Sequence, residues 1–425
     1  MIAGVDADPD RSPTDHAPRH VAVFTFPAYA HIAPAVPMLA ELVRRGHRVT
    51  CFVVARFAEL VGASGAEVVE YPSDFPWADG PTGSAVENIL AFFAEAIAPL
   101  PAAVSRLADD RPDVIAHDLA ASEAARILAR AWDVPVVQLC PTVASSPGFS
   151  MSERQSREVT GPPPEPVDPA DPRFAEFTAR REKLLADRGL AGVSIDGFGA
   201  EHGHNIVFLP REFQPAPETF DDRFTFVGPC LTDEPAAGDW TPPADGRDVL
   251  LLSLGSSYTP DQAEFLRFCV DTLADGPWHV VLTLGHRVRR EDFGPLPDNV
   301  EAHQWLRHPQ VLRHAAGFVT HAGMGSVMES LFFGVPMVLV PYHIDQRVIA
   351  DRTAELDLGR VMRREETSPE ALRTAVEEIT GDPRVRAAVA RMRDHVHAAG
   401  GAARAADAVE SLIADHAHHT DRERS

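Results

Sequence analysis

Trp305-Leu306-Arg307-His308-Pro309-Gln310, then Phe318-Val319-Thr320-His321-Ala322-Gly323-Met324-Gly325-Ser326, then Glu329 and Asp345-Gln346, form the stretch whose reading decides the fold. Residues are apolar up to His321, as in a buried strand, and a turn of small residues follows. Apolar spacing from Met324 to Phe333 is helical, Gly334 stops it, and residues 335–340 return to a buried strand. Strand, glycine turn, helix and strand in succession aim unpaired backbone N–H groups and a helix N-terminus at an anion. The ligand this predicts carries phosphate.

The surrounding composition narrows the class. A chain of 425 residues exceeds one ordinary core, so two domains are expected. A formal charge of −23 argues against nucleic acid, whose phosphates need clustered Lys and Arg. Pro, Gly or charge interrupts every apolar run short of a bilayer's thickness, so no membrane span is expected. Residues 1–19 are polar and acidic and lack the apolar core of a signal peptide. Cys51, Cys140, Cys230 and Cys269 are scattered without metal or redox spacing and read as small buried hydrophobes. The chain reads as cytoplasmic.

In the first half, residues 20–26 read as a buried strand, followed by a loop with Tyr29, Ala30 and His31. Pro34 marks a helix start, Val36, Leu39, Ala40 and Val43 share one face, and Gly46 ends the helix. Residues 48–54, 67–71, 113–117 and 134–139 read as further strands, with a helix at about 121–132. This is a βαβ opening to a parallel sheet. His31 and Asp118 each stand just past the carboxyl end of a strand, the edge where open α/β sheets bind ligands. A His held by a carboxylate makes a general base, and a neighbouring helix N-terminus would favour its neutral form. The plainer reading makes His31 a loop residue and Asp118 a helix N-cap. His117, last in its strand, reads as a buried imidazole.

Two long insertions, at about 74–100 and 145–199, suit either an acceptor pocket beside His31 or plain surface decoration. The second holds Pro162-Pro163-Pro164 and a charged helix at 173–190.

In the second half, residues 205–209 resume a strand and residues 231–247, rich in Pro, Gly and acid, read as a linker. Residues 248–254 open a new strand, and Gly255-Ser256 after it stand where N–H and hydroxyl groups could meet the same phosphates. Both halves share the βαβ style, which predicts two doubly wound domains around a cleft. Ser326-x-x-Glu329 has two readings: a helix capping box with Ser326 at the cap, or ligand binding. His321, a polar ring at the mouth of a buried strand, needs a partner.

Together these residues resemble the family 1, GT-B-fold glycosyltransferases, specifically the bacterial macrolide glycosyltransferases that use nucleotide sugars. The resemblance rests on the His31 loop, Arg111-Pro112-Asp113-Val114-Ile115-Ala116-His117-Asp118, Val227-Gly228-Pro229, Ser253-Leu254-Gly255-Ser256-Ser257, residues 305–346 and residues 400–407. It implies an α/β GT-B fold, two Rossmann-like doubly wound domains facing a central cleft. The implied acceptor domain covers 19–229, a linker 230–247, the nucleotide-sugar domain 248–398, and a helix at 399–415 packs back on the first domain. Residues 1–18 and 416–425 are expected to be disordered tails.

The resemblance also implies roles. His31 would deprotonate the acceptor hydroxyl, with Asp118 orienting and charge-balancing it. Trp305 would stack on the nucleobase. His321, Gly323 and Ser326 would bind the pyrophosphate, helped by Ser256, with Gly325 standing in that turn where plant members carry Asn. Glu329 would take the ribose hydroxyls, and Asp345 and Gln346 those of the sugar. Many relatives carry Pro-Gln after the Trp, with the Gln on the base; an ungapped count puts Arg307 and His308 there. His308 is therefore the expected base contact, and uracil-versus-thymine preference stays open.

The expected activity is inverting hexosyl transfer from UDP-glucose to a macrolide or other hydrophobic aglycone, in resistance or tailoring. No metal and no cofactor beyond the donor is expected, and the chain would act as a monomer or homodimer. Three alternatives stay open: a dTDP-deoxysugar transferase of antibiotic biosynthesis, a nucleotide-sugar-binding relative that has lost catalysis, and an epimerase of the same fold.

Overall fold

Strand β1 (His20–Phe24) is buried at every position, as a strand covered on both faces must be. It lies inside a seven-stranded, all-parallel sheet with β2 (Arg48–Val53), β3 (Glu67–Glu70), β4 (Val114–Asp118), β5 (Val136–Cys140), β6 (Asn205–Val207) and β7 (Phe224–Phe226), in the order β3-β2-β1-β4-β5-β6-β7. A second sheet, also parallel, holds β8 (Asp248–Ser253), β9 (Trp278–Thr283), β10 (Val300–His303), β11 (Ala315–Thr320), β12 (Met337–Leu339) and β13 (Gly359–Val361), in the order β10-β9-β8-β11-β12-β13. The structure is a computed structural model, describing residues 17–75, 83–157, 167–195, 203–232, 240–244, 246–255, 261–285 and 288–423. Ser256, residues 1–16 of the expected N-terminal tail, Pro162-Pro163-Pro164 and parts of the expected linker lie outside them.

Each sheet reverses its strand order once, and those two points locate the chemistry. In the first sheet the reversal falls between β1 and β4, so the loop after β1 and the end of β4 become neighbours. In the second it falls between β8 and β11, which brings Gly255 beside the turn after Thr320. A crevice opens at such a point because the two chains leave in opposite directions.

Two expectations are corrected. Residues 85–107 form the helices Ala85–Ile97 and Leu100–Leu107, and this span is long and apolar enough to cross a membrane by length and composition. Pro99 and Pro101 sit at the junction of the two helices, where the sequence places an interruption. Within the span, Ile97, Leu100, Ala103 and Leu107 are buried in the core of the first domain. The last helix, Gly401–Glu423, also continues past residue 415, where a disordered tail was expected to begin.

That helix returns to the first domain. Gly400 and Gly401 both adopt positive φ, which lets the chain reverse after the helix Pro383–Ala398. The Gly401 N–H then donates to the Val227 carbonyl at 2.7 Å. Ala405, Ala406 and Val409 are fully buried among Val21, Val23 and Leu39. Outside this apolar contact, Arg45 bonds Glu41, Asp407 and Glu410 together. All four cysteines are free and buried, and burial pushes the Cys51 thiol up to about 12.

Candidate active site in the cleft

His31 lies on a single helical turn, Tyr29–Ile32, just past β1, and Asp118 is the last residue of β4. The β1–β4 pairing brings them into contact: His31 Nδ1 lies 3.0 Å from both Asp118 carboxylate oxygens. A carboxylate only accepts, so Nδ1 carries the proton and donates, leaving Nε2 with its lone pair. Asp118 Oδ1 also accepts from the Ala120 N–H at 2.8 Å, and this fixes the carboxylate. The helix Ser122–Trp132 takes Ala121 as its N-cap, so the capping role considered for Asp118 is not what the structure has. His117 is fully buried, with Nδ1 2.9 Å from the Asp118 carbonyl oxygen.

Electrostatics at His31 differ from the sequence expectation. Burial by itself pushes the imidazolium down, but the Asp118 carboxylate, its hydrogen bond and Asp345 from the second domain outweigh it. The pKa is raised, not lowered as a helix N-terminus would have it. About a quarter (26%) of the His31 side chain remains exposed.

On the other side of the cleft, the His321 ring is packed between two glycine backbones. A Cβ on Gly255 would stand 2.4 Å from its Cε1, and one on Gly323 2.4 Å from its Nε2. Gly255 has φ +74°, and the intervening Ala322 is held at φ 65°, a strained position for a residue with a side chain. Burial, then the neighbouring His308 and His343, hold the His321 pKa down to about 3. At neutral pH the ring is therefore an uncharged hydrogen-bonding group. Gly325 differs from the other two: a Cβ there would meet nothing within 4 Å.

The helix Met324–Phe333 has Gly323 as its N-cap and makes no side-chain cap bond, so Ser326 is its third residue. The capping-box reading of Ser326-x-x-Glu329 is thereby set aside. Glu329 instead accepts from His308 Nδ1 at 3.0 Å, and His308 Nε2 lies 3.1 Å from Ser253 Oγ. Both ring nitrogens of His308 are engaged inside the protein. Trp305 is half exposed in the loop after β10, and its ring meets Tyr29 of the first domain.

Asp345 is exposed in the first turn of the helix Ile344–Glu355, close enough that its charge acts on His31. Gln346 is buried, and its Oε1 accepts from the Tyr342 and His343 N–H groups at 2.8 and 3.0 Å, capping the helix. The same helix is tied to the first domain by Arg352, whose guanidinium donates to the carbonyls of Phe213, Glu212 and Gln214.

Sequence reasoning offered the first insertion as an acceptor pocket beside His31 but named none of its aromatic residues. Phe26 lies 5.1 Å from His31, 5.5 Å from Phe75 and 5.6 Å from Phe92, centroid to centroid. Phe75 and Phe92 come from the first insertion, where no periodicity marks a pocket. Ser253, quoted within the 253–257 motif, was given no role, although its place as the last residue of β8 is the same strand-end signal that exposed Asp118. Among the described residues, no group of three or more His, Cys, Asp or Glu is arranged to hold a metal.

Comparison with known proteins agrees with this geometry. Residues 267–412 match the family model "Erythromycin biosynthesis protein CIII-like, C-terminal domain". Oleandomycin glycosyltransferase of Streptomyces antibioticus is 36% identical over 406 residues, covering 94% of this chain and 92% of its own. Demethyllactenocin mycarosyltransferase of Streptomyces fradiae is 36% identical over 412 residues, covering 93% and 86%. The crystal structure of the calicheamicin glycosyltransferase CalG4 superposes with a TM-score of 0.80 at 37% identity, covering 94% of this chain and 99% of that one. Two parallel-sheet domains meeting at a cleft, and relatives of this identity along nearly the whole length, make the chain a member of the family 1, GT-B-fold glycosyltransferases of bacterial macrolide type.

Proposed function

We propose that this glycosyltransferase moves a hexose, glucose from UDP-glucose foremost, onto a hydroxyl of a macrolide or similar hydrophobic natural product, with inversion at the anomeric carbon. The observation that carries the reading is the His31–Asp118 pair, opposed across one cleft by Asp345 and the His321 turn. His31 Nε2 takes the proton of the acceptor hydroxyl as its oxygen attacks the anomeric carbon, and the nucleoside diphosphate leaves from the opposite face. Asp118 balances the imidazolium that forms. Negative charge growing on the diphosphate meets the His321 ring, the Ser326 hydroxyl and the N–H groups at the start of the helix Met324–Phe333. Trp305 offers a face to the nucleobase, Glu329 an acceptor to the ribose, and Asp345 and the Gln346 amide nitrogen partners for sugar hydroxyls. The Phe26, Phe75 and Phe92 rings suit an apolar acceptor.

A dTDP-deoxysugar donor is the second reading. It is supported by the mycarosyl transfer in one relative's name and by Arg307-His308 in place of Pro-Gln. Incubation of UDP-glucose and dTDP-glucose with a panel of macrolides and polyphenols, read by mass spectrometry, separates the two. His31→Ala is expected to lose about 10²–10⁴-fold in turnover while keeping UDP binding. Wild-type turnover in that variant would overturn the assignment of the base, and retained anomeric configuration in the product would overturn inversion.

A further inference from the structure

His308 stands at the centre of a chain of hydrogen bonds that no ligand role requires. The Glu329 carboxylate accepts from His308 Nδ1, so in the neutral ring Nε2 is the acceptor and must receive the Ser253 hydroxyl proton. Ser253 Oγ in turn accepts from the Gly255 N–H at 3.3 Å. The wiring therefore runs from Gly255 through the Ser253 hydroxyl and the His308 imidazole to Glu329 Oε2. Ser253 is buried, and the His308 and Glu329 side chains keep 16% and 27% of their surface. The carboxylate thus keeps partial exposure while His308 holds it from within. Ser253 also meets the His321 ring through its backbone. One residue at the end of β8 therefore touches both the turn expected to hold phosphate and the group that holds Glu329.

We propose that His308 is a positioning residue: it orients Glu329 for the ribose of the donor and ties that carboxylate to the phosphate-facing loop after β8. The inference rests on the reading of the cleft as a nucleotide-sugar site. A carboxylate on a mobile side chain must give up rotamer freedom to accept from a ribose hydroxyl. His308 removes that freedom beforehand, so its contribution appears in nucleotide affinity and only through Glu329. Asn at position 308 places an amide N–H near the Nδ1 position and keeps the arm to Glu329. Gln places its amide near Nε2 and keeps only the arm to Ser253.

The test is calorimetric binding of UDP to the full chain and to His308→Ala, His308→Asn, His308→Gln, Glu329→Gln and the double variant His308→Ala/Glu329→Gln, each first checked for an unchanged melting curve. His308→Ala is expected to weaken UDP about tenfold, with His308→Gln similar and His308→Asn within about threefold of the parent. In the Glu329→Gln background the loss caused by His308→Ala should fall below about twofold. Steady-state kinetics should place the loss in the donor KM, leaving kcat nearly unchanged. An undiminished loss in the Glu329→Gln background, or UDP affinity unaltered in His308→Ala, overturns the proposal. If Glu329→Gln binds UDP as the parent does, the ribose reading of the cleft fails first, and it fails separately.

Discussion

Tyr29 and Trp305 meet edge to face across the cleft, with ring centroids 6.0 Å apart and planes at 85°. They belong to different domains, and both are among the few large apolar side chains left exposed among the described residues. A base lying on the Trp305 face requires the Tyr29 edge to shift aside or become the opposite wall. Such an aromatic pair contributes about 0.5–1.5 kcal/mol, enough to bias an equilibrium between open and closed clefts. Tyr29→Ala should therefore enlarge the radius of gyration of the nucleotide-free protein in X-ray scattering. Superimposable curves would remove Tyr29 from the closure. Trp305→Ala should cost about 1–3 kcal/mol of UDP affinity through lost stacking.

In the proposed mechanism the raised pKa of His31 sets the acid limb of activity. The base must be neutral, and the Asp118 and Asp345 charges favour its protonated form. Turnover is therefore expected to fall as pH drops through a value above the ordinary 6.5. Asp118→Asn should move that limb downward while lowering the plateau; an unmoved limb would assign the titration elsewhere. Linkage runs the same way for stability. The contribution of this pair is fully present below about 6.5 and is lost as pH rises through the raised value.

Glycines around the His321 turn should divide sharply. Gly323→Ala drives a Cβ into the His321 ring, and Gly255→Ala does so at a positive φ. Each should weaken UDP binding and lower the melting temperature, because backbone flanks the ring on both sides. Gly325→Ala, inside the first helical turn with open space around it, should instead stabilise by about 0.5–1 kcal/mol. A destabilised, ligand-free-folding Gly325→Ala would mean that something other than backbone entropy decides that position. Thermal melts with and without UDP distinguish these outcomes.

The returning C-terminal helix should be part of the first domain's stability. Val409 is fully buried beneath it, so Val409→Ala is expected to cost roughly 2 kcal/mol in denaturant unfolding. Glu410→Ala removes a partner of both Arg45 and the buried His47 and should cost less, since Arg45 retains Glu41 and Asp407 as partners. A larger loss for Glu410→Ala than for Val409→Ala would reverse that ranking.

Much of this molecule is legible from local pattern. The strand ending at Thr320, the helix Met324–Phe333 and its stop at Gly334 follow from apolar spacing and a left-handed glycine, and the structure has each of them. Asp118 and Gly255 could be picked out as strand-end residues, because in a parallel sheet that edge is where side chains escape the core. The individual aromatic residues beside His31 were not legible, although the insertion that carries two of them was marked. Phe26, Phe75 and Phe92 carry no shared spacing, and only the folding of the first insertion over β1 brings their rings together.

His308 marks the limit of local reading. Sequence alone determined that a histidine stands where relatives carry a base-reading Gln, and that His31, Asp118 and the 305–346 stretch belong to two parallel-sheet halves. Periodicity and turn chemistry are enough for that, since they act over a few residues. Tertiary structure decided what those groups do to one another. It spent both nitrogens of His308 on Ser253 and Glu329, pressed His321 between two glycine backbones, and set Asp345 against His31. Hydrogen-bond partners and charge shifts depend on separations of a few ångströms between residues distant in the chain, and only the packed fold sets those separations.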